Sequence, residues 1–356
     1  PRNSTVFLQI SMDLKQFSKI LIDWQKTNGR HHLPWQMPDP YARWISEIML
    51  QQTQVNTVIE YYERFMRRFP TVESLAQATE DELMQYWSGL GYYSRARNLH
   101  RSAKMIVNDW SGKFPKTREA WETLPGVGRS TAAAIVAFSF GAKETILDGN
   151  VKRVLMRLFC LKSSPDDKET VKQLWSIAES LLPEKDLDIY TQGLMDFGAT
   201  LCTRNPQCLL CPFKENCLAL KAGLQKEIPL PKKKLKRNQH DRTFLLIWSG
   251  DRCLLRKRTE KGVWKGLFSL PEKDGILTEE EVQEVVQGMR LRVKNIRPLE
   301  SFSHDFTHYR LILHPIAISV EADKVSEPQA RWTTLSELPD IGLPTPIRHL
   351  LERFFA

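Results

Sequence analysis

No apolar run in this sequence is long enough to cross a bilayer, and no fixed-length repeat recurs along its 356 residues. Cysteine is scarce: there are six, and only Cys160 and Cys253 lie outside the stretch Cys202–Cys217. Nothing marks a secretory context in which cysteines would pair as disulfides. Val6–Ile10 is too short for a signal-peptide core, so the expected location is the cytoplasm, with Met12 read as the natural start. Acidic residues are in deficit, 42 against 51 lysines and arginines, for a net charge of +9. That excess favours a polyanionic partner and gains weight only when joined to motifs. A hydrophobic content of 42% over this length is enough for two ordinary domains with real cores.

What is abundant is local. Cys202–Cys217 reads CTRNPQCLLCPFKENC, a Cys-x5-Cys-x2-Cys-x5-Cys run. Four thiolates this close in sequence can enclose one metal centre. A zinc ribbon usually brings two Cys-x2-Cys knuckles, and only Cys208–Cys211 has that spacing. One central pair with an outlying cysteine on each side suits the corners of a cubane iron–sulfur cluster. Spacing alone leaves iron and zinc both open.

The chain changes texture once. Up to about Gly223, apolar residues recur at three-to-four spacing, which predicts helices over Asp13–Lys26, Tyr41–Gln54, Thr57–Arg68, Glu80–Ser88 and Tyr92–Asp109. The same pattern continues over Thr131–Phe140, Val151–Leu161, Lys168–Leu182 and Leu187–Leu201. Pro70, Gly89–Gly91, Pro115, Pro125–Gly128 and Pro183 punctuate the connectors. Lys226–Arg242 holds two prolines and the run Lys232–Arg237 (KKKLKR) with little to bury, and reads as a solvated linker able to pass close to phosphates. Beyond it, alternation predicts strands over Thr243–Trp248, Cys253–Lys257 and Tyr309–Val320, with helices over Glu279–Gly288 and Pro346–Phe355. The expected organisation is a helical domain over 13–225, a basic linker over 226–242 and an α+β domain over 243–356.

Three short stretches point to chemistry. Leu124-Pro125-Gly126-Val127-Gly128, followed by Arg129-Ser130-Thr131, is a glycine turn between two helical segments. Glycine lets backbone amides approach a ligand, and a helix start carries partial positive charge, which together suit a DNA phosphate. Such a helix-hairpin-helix holds the backbone and reads no bases. Asp148 in Leu147-Asp148-Gly149-Asn150 could cap the helix it opens, or face the sugar of an extruded nucleotide and stabilise positive charge at C1′. Glu47 lies between Trp44 and Leu50 with Ile48 and Met49 nearby. An exposed helical glutamate is the plainer reading; apolar flanks would instead keep it protonated near neutrality as a general acid. A neutral carboxyl and an ionised one are the division of labour that cleaves a glycosidic bond.

Together these residues resemble the helix-hairpin-helix DNA glycosylases that carry an iron–sulfur cluster, specifically the MutY-type adenine DNA glycosylases. The resemblance runs through LPW (Leu33–Trp35), WISEIMLQQTQV (Trp44–Val55), GLGYYSRARNL (Gly89–Leu99), LPGVGRSTA, LDGNVKRVL and the cysteine run. It implies an all-α glycosylase domain, with a cleft between a helical barrel and a cluster-bearing subdomain, followed by an α+β MutT/Nudix-like domain. It implies one 4Fe-4S cluster on Cys202, Cys208, Cys211 and Cys217, and leaves room for a structural monovalent or Ca2+ cation at the hairpin. The cluster loop would present Arg204 and Lys214 to phosphate. The implied partner is double-stranded DNA with A·8-oxoguanine or A·G mispairs, met by a monomer; the lack of a targeting signal and the compact length give a bacterial cytoplasm as the expected location.

Residue roles follow from the same resemblance. Glu47 matches the acid that protonates adenine at N7, Asp148 the carboxylate beneath the sugar, and Asn150 its polar neighbour. Gln52 and Tyr92 match residues inserted into the duplex, with Thr53 and Leu90 close by. Trp35, Leu50 and Gln192 match the adenine pocket, while Gly126, Val127, Gly128 and Ser130 match the hairpin. Ser130 stands where endonuclease III-type relatives carry a lysine nucleophile, and a serine forms no Schiff base. Phe306-Thr307-His308 matches a loop that recognises 8-oxoguanine, with threonine where serine is commoner. Gly266–Glu272 keeps only the start of a Nudix box, and without the later paired glutamates a Mg2+–pyrophosphate site is not expected. Two departures stand out: the first cysteine interval is five residues rather than six, and Gln36 follows Trp35 where relatives often have arginine. A lyase-type glycosylase and a non-catalytic iron–sulfur DNA-binding regulator are the rival readings.

Overall fold

Helices run from Leu14 to Lys221: α1 (Leu14–Asn28), α2 (Pro40–Leu50), α3 (Val55–Arg68), α4 (Val72–Gln77), α5 (Glu80–Trp87), α6 (Ser94–Trp110), α7 (Arg118–Glu122), α8 (Arg129–Phe140), α9 (Gly149–Leu158), α10 (Lys168–Ser180), α11 (Leu187–Asp196) and α12 (Leu218–Lys221). The structure is a computed structural model that describes residues 14–231, 238–321 and 329–355. Val6–Ile10, Met12 and the run Lys232–Arg237 lie outside the described residues. Strands follow as β1 (Asn238–Ser249), β2 (Arg252–Lys257), β3 (Phe268–Ser269), β4 (Glu272–Asp274), β5 (Arg292–Pro298), β6 (Phe302–Asp305), β7 (Tyr309–Glu321) and β8 (Ala330–Thr334). Helices α13 (Glu279–Gly288) and α14 (Thr345–Phe355) accompany them. No described helix is long and apolar enough to cross a membrane.

The described residues fall into two compact units, one from residues up to 76 and from 101–233, the other from 77–100 and from 234 onward. In the first, α8 is apolar nearly all round, with Ala132 through Ala137 buried. Its small alanines let α2 pack closely against it. A second cluster gathers Phe17, Val151, Leu155, Leu174, Phe197 and Phe213. Phe213 sits inside the cysteine run yet is only 2% exposed, stacked on Phe17 at 4.8 Å, so it pins that loop to the core.

In the second unit the sheet order is β3-β2-β1-β7-β5, with β1 and β7 parallel from Asn238↔Tyr309 to Trp248↔Ser319. α13 starts with a Thr278–Glu281 capping box and buries Val282 and Val286 against the sheet. Residues 77–100 join this unit through Ser88 Oγ donating to Leu343 O (2.8 Å), Arg97 Nη1 donating to Lys265 O (2.6 Å) and the Lys257–Asp81 ion pair.

Some expected boundaries move for local reasons. α2 stops at Leu50 rather than Gln54, because Gln51 takes an extended ψ of 112° and Gln52 a left-handed φ of 58°. The helix expected to reach Leu201 turns π-helical over Phe197–Leu201. The stretch expected as linker is structured at both ends: Ile228 is 1% exposed, and β1 begins at Asn238 through pairing with β7. Its exposed pattern hides that strand from any alternation test.

Candidate active site

A cleft of about 740 Å3 in the first unit is lined by Glu47, Leu50, Thr53, Ser130, Asp148 and Asn150, with Arg30, Arg153 and Arg204 among their neighbours. Glu47 is aimed by α2, whose start is set by Pro40 and by Asp39 accepting the Tyr41 N–H. Trp44, Ile48 and Met49 are buried around it, and the Glu47 side chain is 11% exposed. Its Oε1 accepts no hydrogen bond, and Arg43 Nη1 stands 3.8 Å away. Burial pushes its pKa up to about 7; Arg43 pulls downward and the negative Asp148 adds to the rise.

Asp148 caps α9, with Oδ1 accepting the Val151 N–H at 2.8 Å, and still lines the cleft. Capping and facing the cleft are therefore compatible. Burial raises its pKa as well, so the expected ionised carboxylate is held against desolvation, by the N–H groups of Val151 and Asn150 and by Arg153 and Lys152. The two carboxyls share one cavity but not one environment. Ser130 Oγ accepts the Leu147 N–H at 3.0 Å and so fixes the residue before Asp148. Asn150 Oδ1 accepts from Arg153 Nη2 at 2.8 Å, and a Cβ on Gly198 would come within 2.7 Å of the Asn150 Cβ.

The hairpin turn has Gly126 at φ 78°, Val127 buried, and Gly128 as the N-cap of α8 with no side-chain cap. A Cβ at Gly128 would meet nothing within 4 Å, so the first amides of α8 open outward. Gln51, which sequence reasoning passed over, donates to Thr131 Oγ1 at 3.3 Å and ties the cleft rim to the hairpin. Gln52 is exposed with a left-handed backbone, which is unusual for a residue with a Cβ and recurs at functional sites. The adenine-pocket trio separates. Leu50 lines the cleft, Gln192 lines a cavity of about 390 Å3 with Arg43, Gln25 and Gln36, and Trp35 is 1% exposed against Tyr62. Buried Asp196, also missed, accepts from Gln25, Arg30 and Gln192 and organises that side of the unit.

Cys202, Cys208, Cys211 and Cys217 are free thiols lining one cavity of about 30 Å3. Arg157, 3% exposed, donates to the Ile228 and Arg204 carbonyls, and Arg153 donates to the Cys202 carbonyl at 2.9 Å. Among the described residues no three His, Cys, Asp or Glu side chains converge as one metal ion requires. The four thiols nonetheless line one space, which is what a shared metal centre on this loop would require.

In the second unit a pocket of about 650 Å3 is lined by Tyr92, Trp264, His304, Phe306, Thr307 and His308, among others. Phe306 contacts the rings of Trp264 (5.3 Å), His304 (4.8 Å) and Tyr309 (4.7 Å). Tyr92, 46% exposed at a left-handed φ of 48°, places its hydroxyl 3.4 Å from Thr307 Oγ1. Leu90, 6% exposed, lines the same pocket beside Tyr92. Glu272, the surviving Nudix glutamate, is ion-paired with Arg242 and Arg258.

Comparison with known proteins gives this arrangement its class. Residues 45–180 match the HhH-GPD superfamily of base excision DNA repair proteins, and residues 243–353 match the NUDIX domain. The helical part is similar to a thermostable thymine-DNA glycosylase (31% identity, TM-score 0.54, 59% of this chain and 97% of that one). Over nearly the whole chain the similarity is to adenine DNA glycosylases. That of Buchnera aphidicola subsp. Schizaphis graminum is 38% identical across 96% of this chain and 100% of its own length. The Homo sapiens protein is 30% identical across 94% and 73%. The chain belongs to the adenine DNA glycosylase family.

Proposed function

We propose that this chain is a monofunctional adenine DNA glycosylase that flips adenine out of a duplex opposite 8-oxoguanine, or guanine, and releases it by hydrolysis. The observation that carries the reading is one cleft holding Glu47, with no hydrogen-bond donor on Oε1, and Asp148, with backbone donors and cations around it. A proton resides on the carboxyl without donors, and charge on the one with them. Glu47 gives its proton to adenine N7, so the base leaves neutral. Asp148 stabilises the oxocarbenium-like sugar, Asn150 orients beside it, and water adds at C1′. Gln52 and Tyr92, both strained at the backbone, serve as the wedges that offset a few kcal/mol of lost stacking, with Thr53 at the rim. Leu50 borders the base in the cleft, with Gln192 and Trp35 behind it, outside the cleft lining. Gly126, Val127, Gly128 and Ser130 hold a phosphate.

Residues 13–225 carry excision, 226–242 link, and 243–356 read the opposing base. Phe306, Thr307 and His308, with Tyr92, line a pocket with an aromatic floor suited to stacking 8-oxoguanine. Pairing of Glu272 with two arginines, and the exposure of Glu280, Glu281 and Glu284, favour a reader over a nucleotide hydrolase. Cys202, Cys208, Cys211 and Cys217 would hold one 4Fe-4S cluster, which when bound orders the loop carrying Arg204 and Lys214 toward phosphate. At the hairpin, the Leu124, Pro125 and Gly126 carbonyls accept hydrogen bonds from Val127, Ser102 and Gln51.

Single-turnover release from A·8-oxoguanine, A·G and T·G duplexes tests the reading. Adenine release from the first two is expected, and Glu47→Gln should lose it at least about a thousandfold while still binding duplex. An active Glu47→Gln would reject the acid. Borohydride should trap no covalent complex with abasic DNA; a trapped adduct would favour the lyase. No base release from any duplex would favour the regulator.

A further inference from the structure

We propose that Arg43 is a positioning residue for excision, holding the Glu47 carboxyl and supplying the charge against which it gives up its proton. The inference rests on the acid role of Glu47 proposed above and adds a residue that the motifs do not single out. Arg43 lies four residues before Glu47 on the same face of α2, with Nη1 3.8 Å from Oε1. Its side chain is 4% exposed, its Nε has no hydrogen-bond partner, and its guanidinium lies 3.6 Å over the Phe138 ring of α8. Burying a guanidinium with an unsatisfied N–H is costly, and packing alone would be served better by an aliphatic side chain. Arg43 lines the 390 Å3 cavity and Glu47 the 740 Å3 cleft, so the pair forms part of the wall between them.

The charged groups around the pair are few. Glu47 faces Arg43 on its own helix and Asp148 from α9; Arg30, Arg153 and Arg204 share the cleft, and Tyr62 of α3 faces Arg43. When the proton passes from Glu47 to the base, the O–H electron pair stays on Glu47, while the C1′–N9 pair leaves with the base. Glu47 thus becomes anionic only as the reaction proceeds, and Arg43 attracts it more strongly then than before. Burial keeps the acid protonated; Arg43 keeps it willing to donate.

Single-turnover pH–rate profiles of Arg43→Gln and Arg43→Lys test this, with thermal unfolding and duplex binding as folding checks. Removing the cation favours the protonated carboxyl, so in Arg43→Gln the alkaline midpoint should rise by about one unit or more, and the plateau should fall at least about tenfold. Arg43→Lys should retain most of the wild-type midpoint. An unshifted midpoint in Arg43→Gln, with a uniform loss of rate at every pH, would show a purely structural role and overturn the proposal. Should Arg43→Gln fail to fold, a shifted midpoint in Arg43→Lys overturns it and an unshifted one supports it. Glu47→Gln is run in parallel. Activity there sinks the parent reading, whereas an inactive Glu47→Gln with an unshifted Arg43→Gln midpoint sinks only the role of Arg43.

Discussion

Glu47 and Asp148 differ by what surrounds them rather than by kind. Burial raises the pKa of both, but only at Asp148 do backbone N–H groups, with Arg153 and Lys152, oppose the rise. Desolvation at Glu47 also has a stability consequence. Burial pushes the folded carboxyl up to about 7, whereas in the unfolded chain it returns to the ordinary value of about 4.5. Between those values the native state binds more protons, so stability present below pH 4.5 is lost as pH rises toward 7. Glu47→Gln should remove that loss, gaining on the order of 3 kcal/mol by pH 7 and above and nothing at pH 4. Urea titrations of both proteins across pH would read it, and an equal difference at pH 4 and pH 8 would contradict it. Much of this residue-scale site was legible in the sequence, because Trp44, Ile48 and Met49 announce the apolar setting of Glu47. Arg43 was not, since a charged residue at helical spacing looks like a solvated face until Phe138 is seen beneath it.

At the scale of elements, α9 joins the chemistry to the cysteine loop. Its N-cap is Asp148, its first turn carries Asn150, and Arg153 and Arg157 farther along hold the loop carbonyls. The π-helical turn after α11 fits against this helix only because residue 198 is glycine. Gly198→Ala would drive a Cβ to 2.7 Å from the Asn150 Cβ and 3.2 Å from its backbone. We expect a loss of about 1–3 kcal/mol in stability and a tenfold or greater fall in excision, with duplex affinity less affected. Unchanged single-turnover rates would show that the start of α9 tolerates displacement. The helices themselves were readable from periodicity and punctuation. The π turn and the exposed start of β1 were not, because each depends on partners distant in sequence, and the short helices α4, α7 and α12 span too few residues to show a period.

On the scale of the whole molecule, the proposed function gives excision and base reading to different parts of one chain, with the cysteine loop tied to the excision part through α9. If the loop orders phosphate contacts, Cys211→Ser should lose bound iron together with at least about tenfold in duplex affinity, while the second unit's fold persists. Full affinity without iron would leave the loop no such role. Phe306→Ala should compress the preference for 8-oxoguanine over guanine toward parity while leaving A·G excision within about threefold of wild type. An unchanged preference would move the reading of 8-oxoguanine elsewhere.

The most direct test is the single-turnover rate of adenine release by the unmodified protein between pH 4 and pH 10. A neutral donor and an anionic stabiliser in one cleft require a bell-shaped profile whose alkaline side falls as Glu47 ionises, around pH 7. A rate that stays level or climbs through pH 9 would mean that no carboxyl in this cleft donates the proton.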